Sequence, residues 1–405
     1  MNRPVRMVRL AAFAVAAVGL MAALVAPPSF ADDMKAPSAA EQQKALSMVP
    51  EGARGSYDHY WTFSPIFPNP YAGWTPPKPP WQICESDSNL AQSWRADLYS
   101  ELQKLNAQYN KAGLTKDKVL VTDSNNNISV QLTQFNNLVR QGCNVIIAIP
   151  STPTGLCSGM ADARKQGVLT VTVQSAVSCN DAINVGSNQY TGAKRMTQWV
   201  AKEMGGKGNM MFVLGVPGIS TTVSTLAGAQ AGLEGTSIKT VATLYGFWSP
   251  APAKTEVVKW LTTHAGTPVD GIVSAGDMAT AIDQALVQFG RKLVPQADGT
   301  NECAYIAHWH DKKLHSFALS AGGGSNGYEA FYVAMRMMFG QQPVVNTLWF
   351  ELPGIDDAEA AKLYKPGMTE QSTSWCDPPD HHLVADNYFD QFFKGGKPLD
   401  PKPNP

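Results

Sequence analysis

The sequence predicts an α/β protein made of two similar lobes with parallel sheets. Residues 119–173 carry most of this prediction, because short apolar runs at 120–121 and 145–149 suit strands buried on both faces. Between them, apolar residues recur at helical spacing from Val130 to Val139. Strands that alternate with helices form parallel sheets, and such sheets bind small ligands at the carboxyl ends of their strands.

The remaining elements extend this pattern in both directions along the chain. A short strand at 82–84 and a loop at 85–89 precede a helix that starts near Trp94. A second α/β series begins near Ala182, which predicts two similar lobes with a cleft between them. The list of its predicted elements is a helix at 190–204, a strand at 210–214, a helix capped by Ser220, a strand at 269–273, a helix at 277–289, a strand near Tyr305 and a helix at 328–339.

The amino terminus has the pattern of a secretory signal. Three arginines precede an apolar run at 10–25, and a small-x-small site predicts cleavage after Ala31. A retained membrane anchor is the alternative, but sixteen apolar residues are short for a bilayer span. Removing three of the 32 basic residues leaves 29 against 33 acidic residues, a formal charge of −4, which disfavours nucleic-acid binding.

Residues 32–80 form a proline-rich and aromatic extension before the first lobe. Such a segment is either a partner-binding arm or a strap that buries its rings on the neighbouring domain. We favour the strap, because eight exposed aromatic rings between Tyr57 and Trp81 would promote aggregation.

All six cysteines follow the predicted signal, and an oxidising compartment permits disulfides. We expect Cys157 to pair with Cys179, since both flank one helix-strand unit, and Cys303 to pair with Cys376. Cys84 and Cys143 are expected at opposite ends of neighbouring strands and therefore unpaired.

Several motifs in order resemble the ribose-type periplasmic binding proteins. They are the segments 123–131, 144–150, 168–173, 185–188 and 215–218, together with the helix start at 92–95. The resemblance covers roughly residues 81–340. It implies a type I fold in which two Rossmann-like lobes with parallel sheets are joined by a three-stranded hinge, with crossings near Asn184, Ser320 and Phe350.

The resemblance also implies the domain boundaries and the function. The N-terminal lobe is expected at 81–184 plus 321–349, and the C-terminal lobe at 185–320 plus 350–405. The protein is expected to be a monomeric, non-enzymatic receptor in the periplasm that delivers a small molecule to an ABC transporter permease. No nucleic acid, cofactor or metal is expected to bind.

The ligand site is expected between the lobes. The family's ligand contacts map onto Ser88, Asn89, Gln92, Trp94, Gln174, Ser175, Thr225, Trp248, Asp277, Trp309 and His310. Sugar binders of the family carry Asp-Arg where this chain has Gln174-Ser175, and arginines where it has Val223 to Thr225. These departures from the family pattern argue against ribose or galactose itself and favour a small neutral ligand that is sugar-like, or else modified or aromatic and less hydroxylated. Structural roles stay open: Trp94 in the core, Trp248 at the hinge, and Asp277 as a helix cap.

Two other function classes remain as alternatives. The same fold serves sensory receptors that present a signal molecule to a membrane kinase. An exported metal-dependent hydrolase is the third hypothesis, because His308 and His310 would share one face of the predicted strand near Tyr305. The glycine-rich stretch 322–327 fits a dinucleotide motif, but it comes too late in the chain, and we interpret it as a flexible turn.

Overall fold

The computed structural model describes residues 37–377 and 382–404, and two six-stranded sheets organise this part of the chain. The predicted signal at 1–31, with its cleavage site after Ala31, lies outside the described residues. No helix within 37–377 or 382–404 has the length and apolarity that a bilayer crossing requires.

Fourteen strands and eleven α-helices are assigned in the described residues. The strands are β1 (Ile83–Asp87), β2 (Leu120–Asp123), β3 (Val145–Ala148), β4 (Leu169–Val173), β5 (Ile183–Ser187), β6 (Lys207–Leu214), β7 (Ser237–Tyr245), β8 (Gly271–Ser274), β9 (Gln296–Asp298), β10 (Ser316–Leu319), β11 (Gln342–Pro343), β12 (Thr347–Phe350), β13 (Gly354–Ile355) and β14 (Phe393–Lys394). The helices are α1 (Ala39–Met48), α2 (Ser93–Lys111), α3 (Ile128–Arg140), α4 (Cys157–Lys165), α5 (Gln189–Glu203), α6 (Ser220–Ala231), α7 (Pro250–Thr263), α8 (Ala279–Gln288), α9 (Cys303–Lys312), α10 (Gly323–Met338) and α11 (Asp357–Leu363).

The two sheets confirm the predicted fold class. The N-terminal lobe has the strand order β12-β5-β4-β3-β1-β2, and all its strand pairs are parallel. The C-terminal lobe has the order β13-β10-β9-β8-β6-β7, in which β13 alone pairs antiparallel. The chain crosses between the lobes after β5, β10 and β12, near the crossings expected at Asn184, Ser320 and Phe350, and by Leu383 it has returned once more to the N-terminal lobe.

Helices pack on both faces of the N-terminal sheet, because the side chains along each strand point alternately to the two faces. Ile83 and Ile147 belong to the core that includes α2 and α10, whereas Cys84 and Ile146 belong to the core that includes α3 and α4. Because successive residues point to opposite faces, each strand contributes to two hydrophobic layers. The strands are buried on both sides, as their apolar composition indicates.

Asparagine side chains cap two helices at the cleft edge of the sheets. Asn127 accepts hydrogen bonds from the backbone of α3, and Asn188 accepts them from the backbone of α5. The predicted cap of α6 is wrong: Ser220 is the first helical residue, and its hydroxyl donates to the carbonyl oxygen of Ala176.

The extension packs on the N-terminal lobe, which confirms the strap interpretation. Tyr57, Tyr60, Phe63, Tyr71 and Trp81 are all buried. The Tyr57 hydroxyl donates to the carbonyl oxygen of Thr347 and the Tyr71 hydroxyl to that of Val168, both in the N-terminal lobe. The Thr62 hydroxyl hydrogen bonds with Ser224 on α6 of the C-terminal lobe. The proline-rich sequence therefore wraps the domain and covers apolar surface with its rings.

The end of the chain differs from the predicted lobe boundary. Helix α11 packs against α9 of the C-terminal lobe. However, β14 pairs with β11 beside the N-terminal sheet, and the backbone amide of Leu383 donates to Glu329 on α10. The chain is thus back on the N-terminal lobe by Leu383, whereas the sequence placed residues 350–405 in the C-terminal lobe.

Three disulfides stabilise the lobes, and one of them corrects a prediction. Cys157 pairs with Cys179 and Cys303 with Cys376, as expected. The prediction that Cys84 and Cys143 stay unpaired is wrong, because they form a disulfide with Cα atoms 6.0 Å apart. Strand β1 continues to Asp87, so Cys84 lies at its amino end, beside the start of β3.

The region after β8 contains two further corrections. The predicted strand near Tyr305 is helix α9, which follows the short strand β9. The glycine-rich stretch is not a flexible turn, because α10 begins at Gly323. A Cβ atom at Gly323 would lie 1.9 Å from the carbonyl oxygen of Trp94, so glycine here permits close packing of α10 on α2.

Candidate functional site

A cavity lies between the two lobes at the carboxyl ends of their strands. The centre of a water molecule could occupy about 90 Å³ of this cavity. That volume has room for several water molecules or for part of a small ligand. Its lining consists of Gln92, Trp94, Arg95, Ile149, Gln174, Ser175, Gln189, Thr221, Trp248, Ala275, Asp277, Gly299, Thr300, Ala321, Asn326 and Leu352. This is the switch-point crevice where doubly wound sheets bind ligands.

Six of the predicted site residues line this cavity. They are Gln92, Trp94, Gln174, Ser175, Trp248 and Asp277. Each follows a strand of one of the two sheets, and the two lobes contribute from opposite sides. The four residues that the sequence placed on one site from distant segments, Gln92, Gln174, Trp248 and Asp277, are therefore brought together.

Ser88, Asn89 and Thr225 are not among the lining residues of this cavity. The carbonyl oxygen of Ser88 accepts from the backbone amide of Asn126, in the loop after β2. The backbone amide of Asn89 donates to the carboxylate of Asp87. Thr225 lines a smaller neighbouring cavity that shares Gln189 with the first one.

Trp309 and His310 also lie away from the cavity, because α9 replaces the strand that would have placed them at the cleft. Six residues of helix separate the start of α9 from Trp309, roughly 9 Å along the axis. The Trp309 indole donates to Asp357, and the His310 ring stacks on Tyr364.

The histidine pair of the hydrolase hypothesis does not share a face in α9. His308 is buried, and its ring nitrogens lie 2.9 Å from Asp283 and 2.8 Å from Glu370. His310 is instead half exposed and pairs with Asp311. Among residues 37–377 and 382–404, no group of three or more histidine, cysteine, aspartate or glutamate side chains has a metal-binding arrangement.

We expect the stability of the protein to depend on the charge of His308. Burial alone would lower the pKa of His308, but the hydrogen bonds and charges of Asp283 and Glu370 raise it above its ordinary value. The stability that charged His308 contributes is present below an unfolded pKa of about 6.5. It is lost as the pH rises through the higher folded pKa.

Urea denaturation between pH 6 and 9 tests this expectation. The loss of unfolding free energy over this range should be smaller in His308→Gln than in the parent. Equal losses in both proteins would show that His308 is not charged in the folded state. His310→Gln, on the exposed side of the same helix, is the control and should follow the parent.

Asp277 is the carboxylate of the cavity, and it does not cap α8. The backbone amide of Ala279 donates to Asp298 instead, and the Thr300 hydroxyl lies 2.9 Å from both Asp277 and Asp298. Burial raises the pKa of Asp277 well above its ordinary value, and the charges of Glu302 and Asp298 raise it further. Burial likewise raises the pKa of Asp298 to about 6 and that of Glu302 to about 8.

Arg95 supplies a positive charge on the opposite side of the cavity. Its guanidinium donates to Asp87 at 3.1 Å and to the amide oxygen of Gln92 at 2.8 Å. Both Asp87 and Arg95 are buried. Burial and the charge of Asp87 raise the pKa of the nearby Glu85 carboxyl. A guanidinium held in this way is oriented before any ligand arrives.

Two indoles line the cavity from different lobes. The Trp94 indole donates to the carbonyl oxygen of Ala321 at 2.7 Å, so this side chain bridges α2 and the crossing before α10. The Trp248 ring lies against Gly215, where a Cβ atom would come within 2.1 Å of the ring. Trp94 therefore combines cavity lining with packing, so both roles considered for it remain. Trp248 packs within the C-terminal lobe, against the segment after β6, and not at a lobe crossing.

Sequence reasoning missed several polar residues of the cavity. Arg95 was read only as part of a helix-start motif, and Gln189 follows the recognised segment 185–188. Thr300 was missed because β9 has only three residues, two of them polar. Asn326, in the glycine-rich stretch, accepts a hydrogen bond from Gln174. Position after a strand was the available signal for Gln189 and Thr300.

Two curated proteins are similar to part of the chain. One is a xylitol-binding protein of Mycolicibacterium smegmatis, 30% identical over 175 residues that span 42% of this chain and 50% of the relative. The other is the ribose import binding protein RbsB of Bacillus subtilis, 26% identical over 28% of this chain and 39% of the relative. The chain thus spans half the length, or less, of these curated relatives.

Solved structures share the fold over a larger part of the chain. An ABC transporter solute binding protein from Thermobispora bispora superposes with a TM-score of 0.67, at 22% identity, over 76% of this chain and 93% of the other. A Caulobacter myo-inositol binding protein bound to myo-inositol gives a TM-score of 0.63, at 21% identity, over 71% of this chain and 97% of the other. The family model described as a periplasmic binding protein domain matches residues 88–342, more than half of the sequence, and the chain belongs to this family.

Proposed function

We propose that the protein is the periplasmic solute-binding component of an ABC importer and that it binds a small neutral sugar or polyol between its lobes. The observation that carries this proposal is the lining of the inter-lobe cavity. Amides, hydroxyls, one carboxylate and one guanidinium converge there with two indoles. Such a lining provides hydrogen bonds for the hydroxyl groups of a ligand and apolar faces for its carbon skeleton.

Two charged side chains in the cavity, Arg95 and Asp277, favour a ligand with hydroxyl groups. The sequence comparison with the family did not identify Arg95 as a site residue. Gln174 and Ser175 lack the charges that family members carry at these positions, which argues against ribose or galactose itself. Arg95 and Asp277 face the same cavity from α2 and from the loop after β8. Arg95 offers a charge-assisted donor, and Asp277 offers a charged acceptor once the pH exceeds its raised pKa. Charged partners bind hydroxyl groups more tightly than neutral partners do.

The relatives support the same ligand class and role. The names of two of them refer to xylitol and to ribose import, and one structural neighbour contains myo-inositol. On this proposal the chain is exported, loses residues 1–31, acts without enzymatic activity, and delivers its ligand as a monomer to a membrane permease.

A thermal-shift screen tests the ligand class directly. Xylitol, myo-inositol and ribose should be compared with amino acids and with divalent metal ions, each added to purified protein. A ligand at a hundredfold excess over its dissociation constant stabilises the folded state by about 2.7 kcal/mol. We expect at least one sugar or polyol to raise the melting temperature. Stabilisation by an amino acid or a metal ion alone would contradict the proposal.

A further inference from the structure

Gln92 connects the two lobes across the candidate site. It lies at the start of α2 in the N-terminal lobe. Its side-chain amide nitrogen donates to the carbonyl oxygens of Phe247 at 3.0 Å and Trp248 at 3.1 Å, in the C-terminal lobe. Its amide oxygen accepts from Arg95 at 2.8 Å. Both donor hydrogens of the carboxamide therefore have partners within the protein itself.

The turn that Gln92 contacts has an unfavourable backbone conformation. Phe247 and Trp248 have φ angles of 60° and 50°, in the left-handed region that bulky residues rarely adopt. The backbone amide of Gly246 donates to Leu214, which fixes the start of the turn to the end of β6. A residue keeps such a strained backbone conformation only where surrounding contacts hold it. Residues of this kind are often found at ligand sites.

The same turn places the Trp248 ring in the cavity. The ring fits against Gly215, and any side chain at that position would collide with it. Phe247 remains 43% exposed, so its own ring does not bury the turn. The described contacts that hold this turn from the opposite lobe are the two hydrogen bonds from Gln92.

We propose that Gln92 is a positioning residue, a latch that closes on the turn 247–248 and holds the Trp248 ring in the binding cleft. The donor and its two acceptors belong to different lobes, so the bonds exist only when the cleft is closed. Closure and the placement of Trp248 are therefore coupled. The inference deepens the proposed function and rests on it, because Trp248 matters only if a ligand binds in this cleft.

The test uses the ligand-free protein, so it remains informative if the proposed ligand class is wrong. In Gln92→Glu the carboxylate still accepts from Arg95 but cannot donate to the two carbonyls. In Gln92→Ala the side chain is removed without adding charge. Gln134→Glu is the matched control. Gln134 lies on α3, outside the cavity lining, and its side-chain amide likewise donates to a backbone carbonyl, that of Asp123 at the end of β2.

Small-angle scattering and amide hydrogen exchange give the two readouts. Both Gln92 variants should have a larger radius of gyration than the parent, and amide hydrogen exchange at residues 246–249 should be about tenfold faster. The melting temperature should change little, which separates positioning from general stability. The latch is refuted if the ligand-free parent is already open, if both variants match it, or if only Gln92→Glu opens through charge repulsion.

Discussion

Replacing Tyr57 with alanine should lower the free energy of unfolding by about 3 to 5 kcal/mol. Tyr57 is 1% exposed, and its ring stacks on Trp349 with centroids 5.1 Å apart. Its hydroxyl donates to the carbonyl oxygen of Thr347 at 2.6 Å and accepts from the Trp349 amide at 3.1 Å. The substitution opens a cavity and leaves both backbone groups of β12 without these partners.

Urea denaturation of the purified protein measures this loss. Tyr57→Phe keeps the ring but removes the hydroxyl, and it should cost about 1 to 3 kcal/mol because a buried donor is left unpaired. Trp61→Ala, at a half-buried position of the same extension, is the control and should cost less than Tyr57→Ala. If Tyr57→Ala unfolds at the parent's urea concentration, the extension does not belong to the cooperative unit of the lobe.

The extension and the strands were predictable because their signals are local. Apolar runs such as 145–149 suit strands buried on both faces wherever they occur, and helical spacing in 130–139 leaves little choice of structure. The clustered rings of the extension require burial for solubility. Export, by contrast, was inferred from residues 1–31, on which the structure gives no information.

Helix α9 shows where local signals fail. Its residues from Cys303 to Trp309 are all buried, so no polar face reveals the helical period. A short apolar run of this kind fits a buried strand equally well. The error carried Trp309 and His310 into the predicted site, because a strand would have ended at the cleft.

The site was predictable where a side chain follows a recognised strand, and not where its role depends on a distant partner. Gln92 was placed in the cleft correctly, but its bonds to Phe247 and Trp248 come from the docking of one lobe on the other. Arg95 depends likewise on Asp87, which was assigned to a loop rather than to β1. Contacts between lobes are set by packing, and spacing along the chain does not encode them.

Replacing Asp277 with alanine should weaken ligand binding, because the cavity loses the carboxyl group that would accept from a ligand hydroxyl. A ligand hydroxyl that donates to a charged group contributes about 1.5 to 3 kcal/mol, so Asp277→Ala should weaken binding roughly ten- to hundredfold. Calorimetric titration with the most stabilising sugar or polyol of the thermal-shift panel measures this change. Asp311→Asn, which alters an exposed carboxylate on α9, should bind like the parent.

The pH dependence of binding separates the charge of Asp277 from its shape. Burial first, and then the charges of Glu302 and Asp298, raise the pKa of Asp277, so the accepting carboxylate forms only as the pH rises through that value. Ligand affinity of the parent should therefore increase with pH, and this increase should be smaller in Asp277→Asn. The variant should not be less stable than the parent at neutral pH, since ionised Asp277 is buried among other acids and its raised pKa disfavours the folded state there. If Asp277→Asn and Asp277→Ala both bind as tightly as the parent at every pH, the ligand does not contact this carboxylate, and the cleft assignment fails.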